Sequence, residues 1–171
     1  MIKVGDTLPA TTLMEFMEAE GEGCSLGPNP VDVARATAGK TIALFALPGA
    51  FTPTCSAKHV PGYVENVAAF AAAGVDEIWC VSVNDAFVMG AWARDQKTAG
   101  KVRMLADGSA AFALATGLTL DLTAKAWACV AIAIPCWSRM GRSYRSTSRD
   151  LENSKSATRQ LCCRKPNRNL R

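Results

Sequence analysis

The sequence predicts an α/β fold, because strand-like and helix-like segments alternate along its first 125 residues. Two mostly apolar runs, residues 41–47 and 77–83, have the length and composition of buried strands. A helical pattern follows each run, which is the order that places helices on the faces of a sheet. A chain of 171 residues is long enough for one domain with a substantial core.

The segment before the first of these strands is predicted to consist mostly of turns. Residues 21–23 and 27–30 are rich in Gly, Pro and Asn, which interrupt regular structure. A short helix is expected over residues 31–37, ending before Gly39. No strand is predicted in this part of the chain.

The helix after the first strand is expected to span residues 55–73. Pro61 lacks an N–H and should kink it early, and Gly74 is a plausible stop. Asn84 or Asp85 can cap the second helix, because short polar side chains accept hydrogen bonds from free amides at a helix start.

The remaining elements complete the predicted α/β pattern. The second helix should extend to about residue 98, followed by a third strand over 101–106. A turn at residues 107–109 then leads into a short helix over 110–117.

Charge is distributed unevenly between the two ends of the chain. Residues 1–125 contain 9 basic and 13 acidic residues, a net charge of −4, whereas residues 126–171 contain 10 basic and 2 acidic residues, a net charge of +8. The apolar residues 126–135 can form one last strand, and residues 136–171 have the composition of a disordered tail. Such a basic tail is also typical of nucleic-acid and membrane-surface binders, which is one alternative function.

The candidate catalytic residues directly follow the first strand. They belong to the sequence Pro-Gly-Ala-Phe-Thr-Pro-Thr-Cys-Ser, which begins at Pro48 and contains Cys55. Cys55 stands where the strand passes into the first turn of a helix. Free amides and the helix dipole favour an anion there, so the thiol should ionise more easily to the nucleophilic thiolate. The hydroxyl of Thr52 can contact both the sulfur and a bound oxygen substrate.

The spacing of Pro48, Thr52 and Cys55 resembles the peroxidatic motif of the peroxiredoxins. The longer motif, with His59, residues 61–63 and residues 83–89, is similar to the peroxiredoxin-five type over about residues 3–125. The resemblance implies a thioredoxin-like fold, with a mixed central sheet flanked by helices and an incomplete or disordered C-terminal part. It also implies a homodimer formed near the active-site loops.

The resemblance implies a role for each motif residue. Cys55 would attack one peroxide oxygen and become a sulfenic acid, and Thr52 would hydrogen-bond the thiolate and the peroxide. Pro48 would shield the pocket from water. Gly49, Phe51 and His59 are expected to support the site; His59 could stabilise the thiolate or simply pack beneath the loop, and Phe51 could reach a partner surface.

The seven cysteines are odd in number and form no framework pattern, which favours reduced thiols and a cytoplasmic protein. Cys24 and Cys80 are candidate resolving thiols, but an apolar strand surrounds Cys80, and a one-cysteine mechanism is favoured. No metal or other cofactor is expected, because there is one histidine and no Cys-x-x-Cys pair. The N-terminus has no signal-peptide pattern, and no apolar run is long enough to cross a membrane.

Residues 126–171 resemble a family C-terminus translated in the wrong frame. One base placed before the codons of residues 126–131 permits Gly-Leu-Gly-Val-Arg-Ser, which is similar to the continuation in peroxiredoxin-five-like chains. The same shift permits family-like sequences over residues 131–135 and 151–157. The family's catalytic arginine would then straddle Ile132 and Ala133 and is absent from the chain as written. A divergent natural tail is the alternative, and resequencing the coding DNA decides between them.

The sequence therefore predicts a thiol peroxidase that reduces hydrogen peroxide and alkyl hydroperoxides. The resulting sulfenic acid would be reduced by glutathione with glutaredoxin, or by thioredoxin. A catalytically impaired product of a frame-shifted gene is the main alternative, and the basic-tailed binder is the other. No nucleic acid or membrane is expected as a partner.

Overall fold

A mixed seven-stranded sheet forms the centre of the described fold in the computed structural model, which describes residues 2–3, 6–18, 26–122, 129–131, 134–139 and 142–145. Its strands are β1 (Thr12–Met17), β2 (Gly27–Asp32), β3 (Thr41–Leu47), β4 (Glu77–Ser82), β5 (Arg103–Ala106), β8 (Ile134–Arg139) and β9 (Arg142–Arg145). Two short strands, β6 (Thr119–Asp121) and β7 (Cys129–Ala131), pair with each other separately.

The middle of the sheet is parallel and its margins are antiparallel. The order is β2-β1-β5-β4-β3-β8-β9. Strand β4 runs parallel to both β3 and β5, with Leu44 opposite Trp79 and Trp79 opposite Arg103. The β1–β2 hairpin pairs antiparallel with β5, and the β8–β9 hairpin pairs antiparallel with β3.

Helical segments lie between the strands. They are α1 (Val33–Ala36), a π-helical turn over Cys55–His59, α2 (Val60–Glu65), α3 (Val67–Ala72), α4 (Ala86–Asp95) and α5 (Ala111–Thr116). Asp85 caps α4 by accepting a hydrogen bond from the Val88 amide at 2.8 Å, as the sequence predicts for one of its two candidate caps. None of the described helices has the length and apolarity to span a membrane.

The sheet separates two apolar clusters because side chains alternate between the faces of each strand. On β3, Phe45 and Leu47 face one cluster, which includes Cys55 and Trp92. Ile42 and Leu44 face the other cluster with Trp79, Leu105 and Phe112. The candidate nucleophile therefore belongs to the core on one face of the sheet.

The predicted strands over 41–47, 77–83 and 101–106 are confirmed, with ends shifted by at most two residues. The turns predicted over the first forty residues are replaced in part by two strands, since Thr12–Met17 forms β1 and Gly27–Asp32 forms the edge strand β2. Its prolines are compatible with an edge, where one row of backbone groups needs no partner strand. The predicted helix over 31–37 shortens to Val33–Ala36, because residues 31 and 32 belong to β2.

The single helix predicted over residues 55–73 is divided into three pieces. Pro61 cannot donate a backbone hydrogen bond, and the π-helical turn directly precedes it, with the Val60 amide donating to the Cys55 carbonyl. A second break lies at Asn66. The predicted stop is confirmed, since Gly74 has a left-handed φ of 84°.

The segment after residue 125 differs from the prediction of one strand over 126–135. The structure places Cys129–Ala131, Ile134–Arg139 and Arg142–Arg145 in strands. Strand β8 pairs with β3, which would otherwise present an unpaired apolar edge. Residues 146–171 lie outside the described residues, so the tail prediction and the frame-shift hypothesis for them stay predictions.

Candidate active site

Cys55 lies at the carboxyl end of β3, the edge at which open α/β sheets commonly bind ligands. Residues 48–54, here called the motif loop, connect β3 to the π-helical turn that begins with Cys55. The Cys55 side chain is 5 % exposed and packs in the apolar cluster with Phe45 and Trp92. A small reagent must therefore enter a nearly closed site to reach the sulfur.

A polar anchor at the end of β4 holds the motif loop. The Ala50 amide donates to Asn84 Oδ1 at 2.9 Å, and the same oxygen lies 2.8 Å from Ser82 Oγ. Ser82 Oγ also lies 3.2 Å from the Leu47 carbonyl oxygen. Because β3 and β4 are parallel neighbours, their carboxyl ends meet at one edge and bring these groups together.

Phe51 is held in an unfavourable backbone conformation within the motif loop. Its φ is 58°, in the left-handed region, which costs a non-glycine residue roughly 1 kcal/mol. Its side chain is 52 % exposed and its ring lies 6.2 Å from the Trp92 ring. Strain of this kind persists where surrounding contacts determine the backbone, and it is enriched at functional sites.

Thr52 connects the motif loop to the sulfur. Its hydroxyl donates to the Gly49 carbonyl at 2.9 Å, and its own carbonyl accepts from the Ser56 amide at 2.9 Å. The hydroxyl also hydrogen-bonds Cys55. A hydroxyl has a single proton, so Thr52 can stabilise a thiolate only if that proton turns from the Gly49 carbonyl to the sulfur.

The pKa of Cys55 is raised above its ordinary value, whereas the sequence predicts easier ionisation. Burial is the main cause, and the hydrogen bond from Thr52 lowers the pKa by a smaller amount. Among the side chains described, which lie within residues 2–122, no positive charge contributes to this shift. For the described side chains, burial of Cys55 therefore opposes the easy ionisation that the helix start favours.

His59 does not supply the missing charge. Burial lowers the pKa of His59, and the positive charge of Lys58 lowers it further, so the imidazole is neutral near pH 7. Its Nδ1 atom is buried and has no hydrogen-bond partner among the described residues. A neutral ring can orient the pocket but cannot attract a thiolate as a cation would.

Of the two candidate resolving thiols, the structure describes only Cys80. Cys80 is fully buried in β4, and its pKa is raised by burial and then by the charge of Cys55. Cys24 lies outside the described residues. Pro48 is half-buried beside the end of β3, and its predicted shielding role stays a prediction.

Three residues of the site were not predicted from the sequence as site residues: Ser56, Ser82 and Asn84. Trp92 was expected to line or flank the pocket, with packing as its default role. Trp92 Nε1 donates to Ser56 Oγ at 3.1 Å. Of these residues, only Ser82 and Asn84 could have been found from the sequence, because they are polar residues at the end of an apolar strand. No three His, Cys, Asp or Glu side chains of the described residues are grouped closely enough to hold a metal ion.

The comparisons with known proteins agree with this architecture. A family model described as Redoxin matches residues 3–135. The chloroplastic peroxiredoxin-2E-2 of Oryza sativa subsp. japonica is 49 % identical over 125 residues, which cover 72 % of this chain and 53 % of that protein. The chain therefore spans about half the length of this curated relative.

Two solved structures extend the likeness beyond sequence. A Burkholderia cenocepacia structure, provisionally described as a thioredoxin reductase, is 51 % identical with a TM-score of 0.89 and covers 98 % of this chain and 99 % of that one. Reduced Prx3 of Vibrio vulnificus in complex with hydrogen peroxide is 40 % identical with a TM-score of 0.76, covering 87 % and 90 % respectively. The predicted thioredoxin-like arrangement of a mixed sheet and flanking helices is confirmed.

Proposed function

This chain belongs to the redoxin family, among the peroxiredoxins, and we propose that it is a thiol peroxidase with Cys55 as its nucleophile. The observation that carries the proposal is the pairing of Thr52 with the nearly buried Cys55 at the carboxyl end of β3. Hydrogen peroxide and alkyl hydroperoxides are the proposed substrates. The hydrogen peroxide complex of the Vibrio vulnificus relative supports a peroxide as the ligand.

The proposed reaction is a two-electron oxidation of sulfur. The Cys55 thiolate attacks one peroxide oxygen, the O–O bond breaks, and the products are a cysteine sulfenic acid and an alkoxide or hydroxide. The leaving oxygen takes a proton and departs as an alcohol or water. Thr52 directs its hydroxyl proton toward the thiolate and the reacting oxygen, where charge is redistributed.

An outside thiol is proposed to restore Cys55. The first thiol condenses with the sulfenic acid to a mixed disulfide and releases water; a second thiol attacks that disulfide and returns Cys55 to the thiol. Glutathione with glutaredoxin, or thioredoxin, would serve as reductant. The full burial of Cys80 supports a one-cysteine mechanism, because a resolving thiol in the interior of β4 could move to a new partner only if the strand were disturbed.

A homodimer formed near the motif loop is part of the proposal. Phe51 is 52 % exposed and Phe87, on α4, is 64 % exposed. Large exposed aromatic side chains are enriched at the anchor positions of protein interfaces. A second copy of the chain that covers both rings would also reduce the access of water to the site.

The proposal is tested by peroxide consumption with each reductant. We expect activity with at least one thiol system, loss of activity in Cys55→Ser, and retained turnover in the matched variant Cys80→Ser. Loss of turnover in Cys80→Ser, with a Cys55–Cys80 disulfide found in the oxidised wild type, would contradict the one-cysteine mechanism. Turnover that survives in Cys55→Ser would contradict the assignment of the nucleophile.

A second candidate is that the chain is a catalytically impaired product of a frame-shifted peroxiredoxin gene. The raised pKa of Cys55, with no cation among the described side chains that shift it, favours this candidate. The arginine implied by the family resemblance is absent from residues 126–135. Its test is a chain with the reading frame restored after Lys125, which should react with peroxide much faster than the chain as written.

A further inference from the structure

We propose that Trp92 is a positioning residue for the peroxide reaction, acting through Ser56 on the turn that carries Cys55. The inference rests on the proposed function and adds a residue to it. Trp92 lies on α4, which belongs to a different part of the chain from the motif loop. Its effect on the sulfur is indirect, through the single hydrogen bond that joins α4 to the turn.

The contact is specific and buried. Trp92 is fully buried, and its Nε1 atom donates to Ser56 Oγ at 3.1 Å. A buried indole N–H without a partner is unfavourable, and it can only donate. This hydrogen bond therefore restrains the position of Ser56, the residue next to Cys55.

The indole also contacts the other end of the reactive segment. The Phe51 ring lies 6.2 Å from the Trp92 ring, and the Ser56 amide donates to the Thr52 carbonyl at 2.9 Å. Trp92 thus touches residues on both sides of Thr52 and Cys55. A side chain in this place can fix the distance between the hydroxyl and the sulfur.

The backbone of the turn that carries Cys55 is irregular, so a hydrogen bond from a neighbouring helix can stabilise it. Residues 55–59 form a π-helical turn, whose hydrogen-bond geometry is less regular than that of an α-helix. Pro61 follows shortly and contributes no N–H to the ladder. The hydrogen bond to α4 keeps this turn closed over Cys55, a residue that is 5 % exposed.

Opening the turn should affect the rate with peroxide and the rate with a bulky disulfide in opposite directions. Peroxide needs the closed turn, in which Thr52 and Cys55 face the same oxygen. A bulky aromatic disulfide reagent needs the open turn, because a nearly buried sulfur excludes it. Removing the Trp92 hydrogen bond should therefore slow oxidation by peroxide and accelerate exchange with the bulky disulfide.

The experiment compares Trp92→Phe and Ser56→Ala with the matched control Trp79→Phe. Trp79 is also fully buried and its indole donates to Glu77 at 2.7 Å, but it lies in the cluster on the other face of the sheet. Single-turnover rates are measured with hydrogen peroxide and with dithiobis(nitrobenzoate). Ser56→Ala removes the acceptor without a large cavity, so it carries the test if Trp92→Phe does not fold.

The expected result is a peroxide rate about three- to tenfold lower in both test variants, the factor that corresponds to an ordinary net hydrogen bond. The dithiobis(nitrobenzoate) rate should rise by a similar factor, and neither rate should change this way in Trp79→Phe. Rates that stay constant or move together in the test variants overturn the inference. If the wild type itself shows no fast peroxide reaction, the proposed function fails, and the disulfide exchange rates alone then decide whether Trp92 holds the turn.

Discussion

Replacement of Thr52 by valine tests how the protein stabilises its nucleophile. Valine has nearly the same shape as threonine but no hydroxyl, so the change removes the one hydrogen bond that lowers the pKa of Cys55. Burial remains and continues to raise that pKa. The thiolate should consequently become less stable. The packed volume changes little, although the motif loop also loses the hydrogen bond from Thr52 to the Gly49 carbonyl.

The size of the effect follows from the strength of a hydrogen bond to a charged group, about 1.5–3 kcal/mol. One pKa unit corresponds to about 1.4 kcal/mol, so the pKa of Cys55 should rise by about 1–2 units. Below the pKa, the thiolate fraction and the rate with peroxide should fall by about 10- to 100-fold. Loss of contact between Thr52 and the peroxide would add to the fall in rate.

The assay is a titration of thiolate absorbance together with the peroxide rate as a function of pH. Thr52→Ser keeps a hydroxyl and should titrate near the wild type. The matched control is Thr54→Val, because Thr54 is exposed and its side chain makes no capping hydrogen bond. An unchanged Cys55 titration in Thr52→Val, or an equal shift in Thr54→Val, would refute the reasoning.

Three further predictions concern the surroundings of the site. Asn84→Ala removes the acceptor of the Ala50 amide and should lower the free energy of unfolding by about 1–3 kcal/mol, measured by urea denaturation. Burial raises the pKa of Glu77. Hydrogen bonds from Lys40, Trp79 and Arg103, together with the charge of Arg103, outweigh that effect, so the pKa lies below its ordinary value. Glu77 therefore stabilises the fold above its unfolded pKa, and this contribution should be lost as pH falls through the folded pKa; Glu77→Gln should reduce the pH dependence of the urea midpoint in that acidic range. Phe87→Ser should weaken the proposed dimer, measured by sedimentation, without a large loss of stability, since Phe87 is 64 % exposed.

A specific result would contradict each of these predictions. An unchanged urea midpoint in Asn84→Ala would mean that the motif loop does not depend on that anchor. A Glu77→Gln variant that loses stability equally at acidic and neutral pH would point to packing rather than charge. A Phe87→Ser chain that sediments like the wild type would place the interface elsewhere.

The parts of the fold that the sequence predicts are those with a local signal. Strands β3 and β4 are mostly apolar runs, and Asp85 is a strong capping residue in front of α4. Strand β2 was missed because Gly and Pro are ordinarily turn residues, and only its edge position makes them acceptable. The division of the helix after Cys55 depends on how Pro61 and Asn66 fit against the rest of the chain.

The candidate site shows the same limit. Cys55 and Thr52 could be found because their spacing is local and resembles a known motif. The hydrogen bond from Trp92 could not be predicted, since its partner Ser56 lies 36 residues away in the chain. The direction of the Cys55 pKa shift was also out of reach, because desolvation depends on the packed core and not on the helix start alone.

The most direct test of the account is a single-turnover reaction of the reduced chain with hydrogen peroxide, followed by intact mass, beside Cys55→Ser. The account predicts rapid addition of one oxygen atom to the wild type, trapped as a sulfenic acid at Cys55, and no rapid phase in Cys55→Ser. Oxidation no faster than that of an ordinary free thiol would contradict it. That result would leave a chain with the peroxiredoxin fold and a Cys55 thiol whose ionisation is opposed by burial.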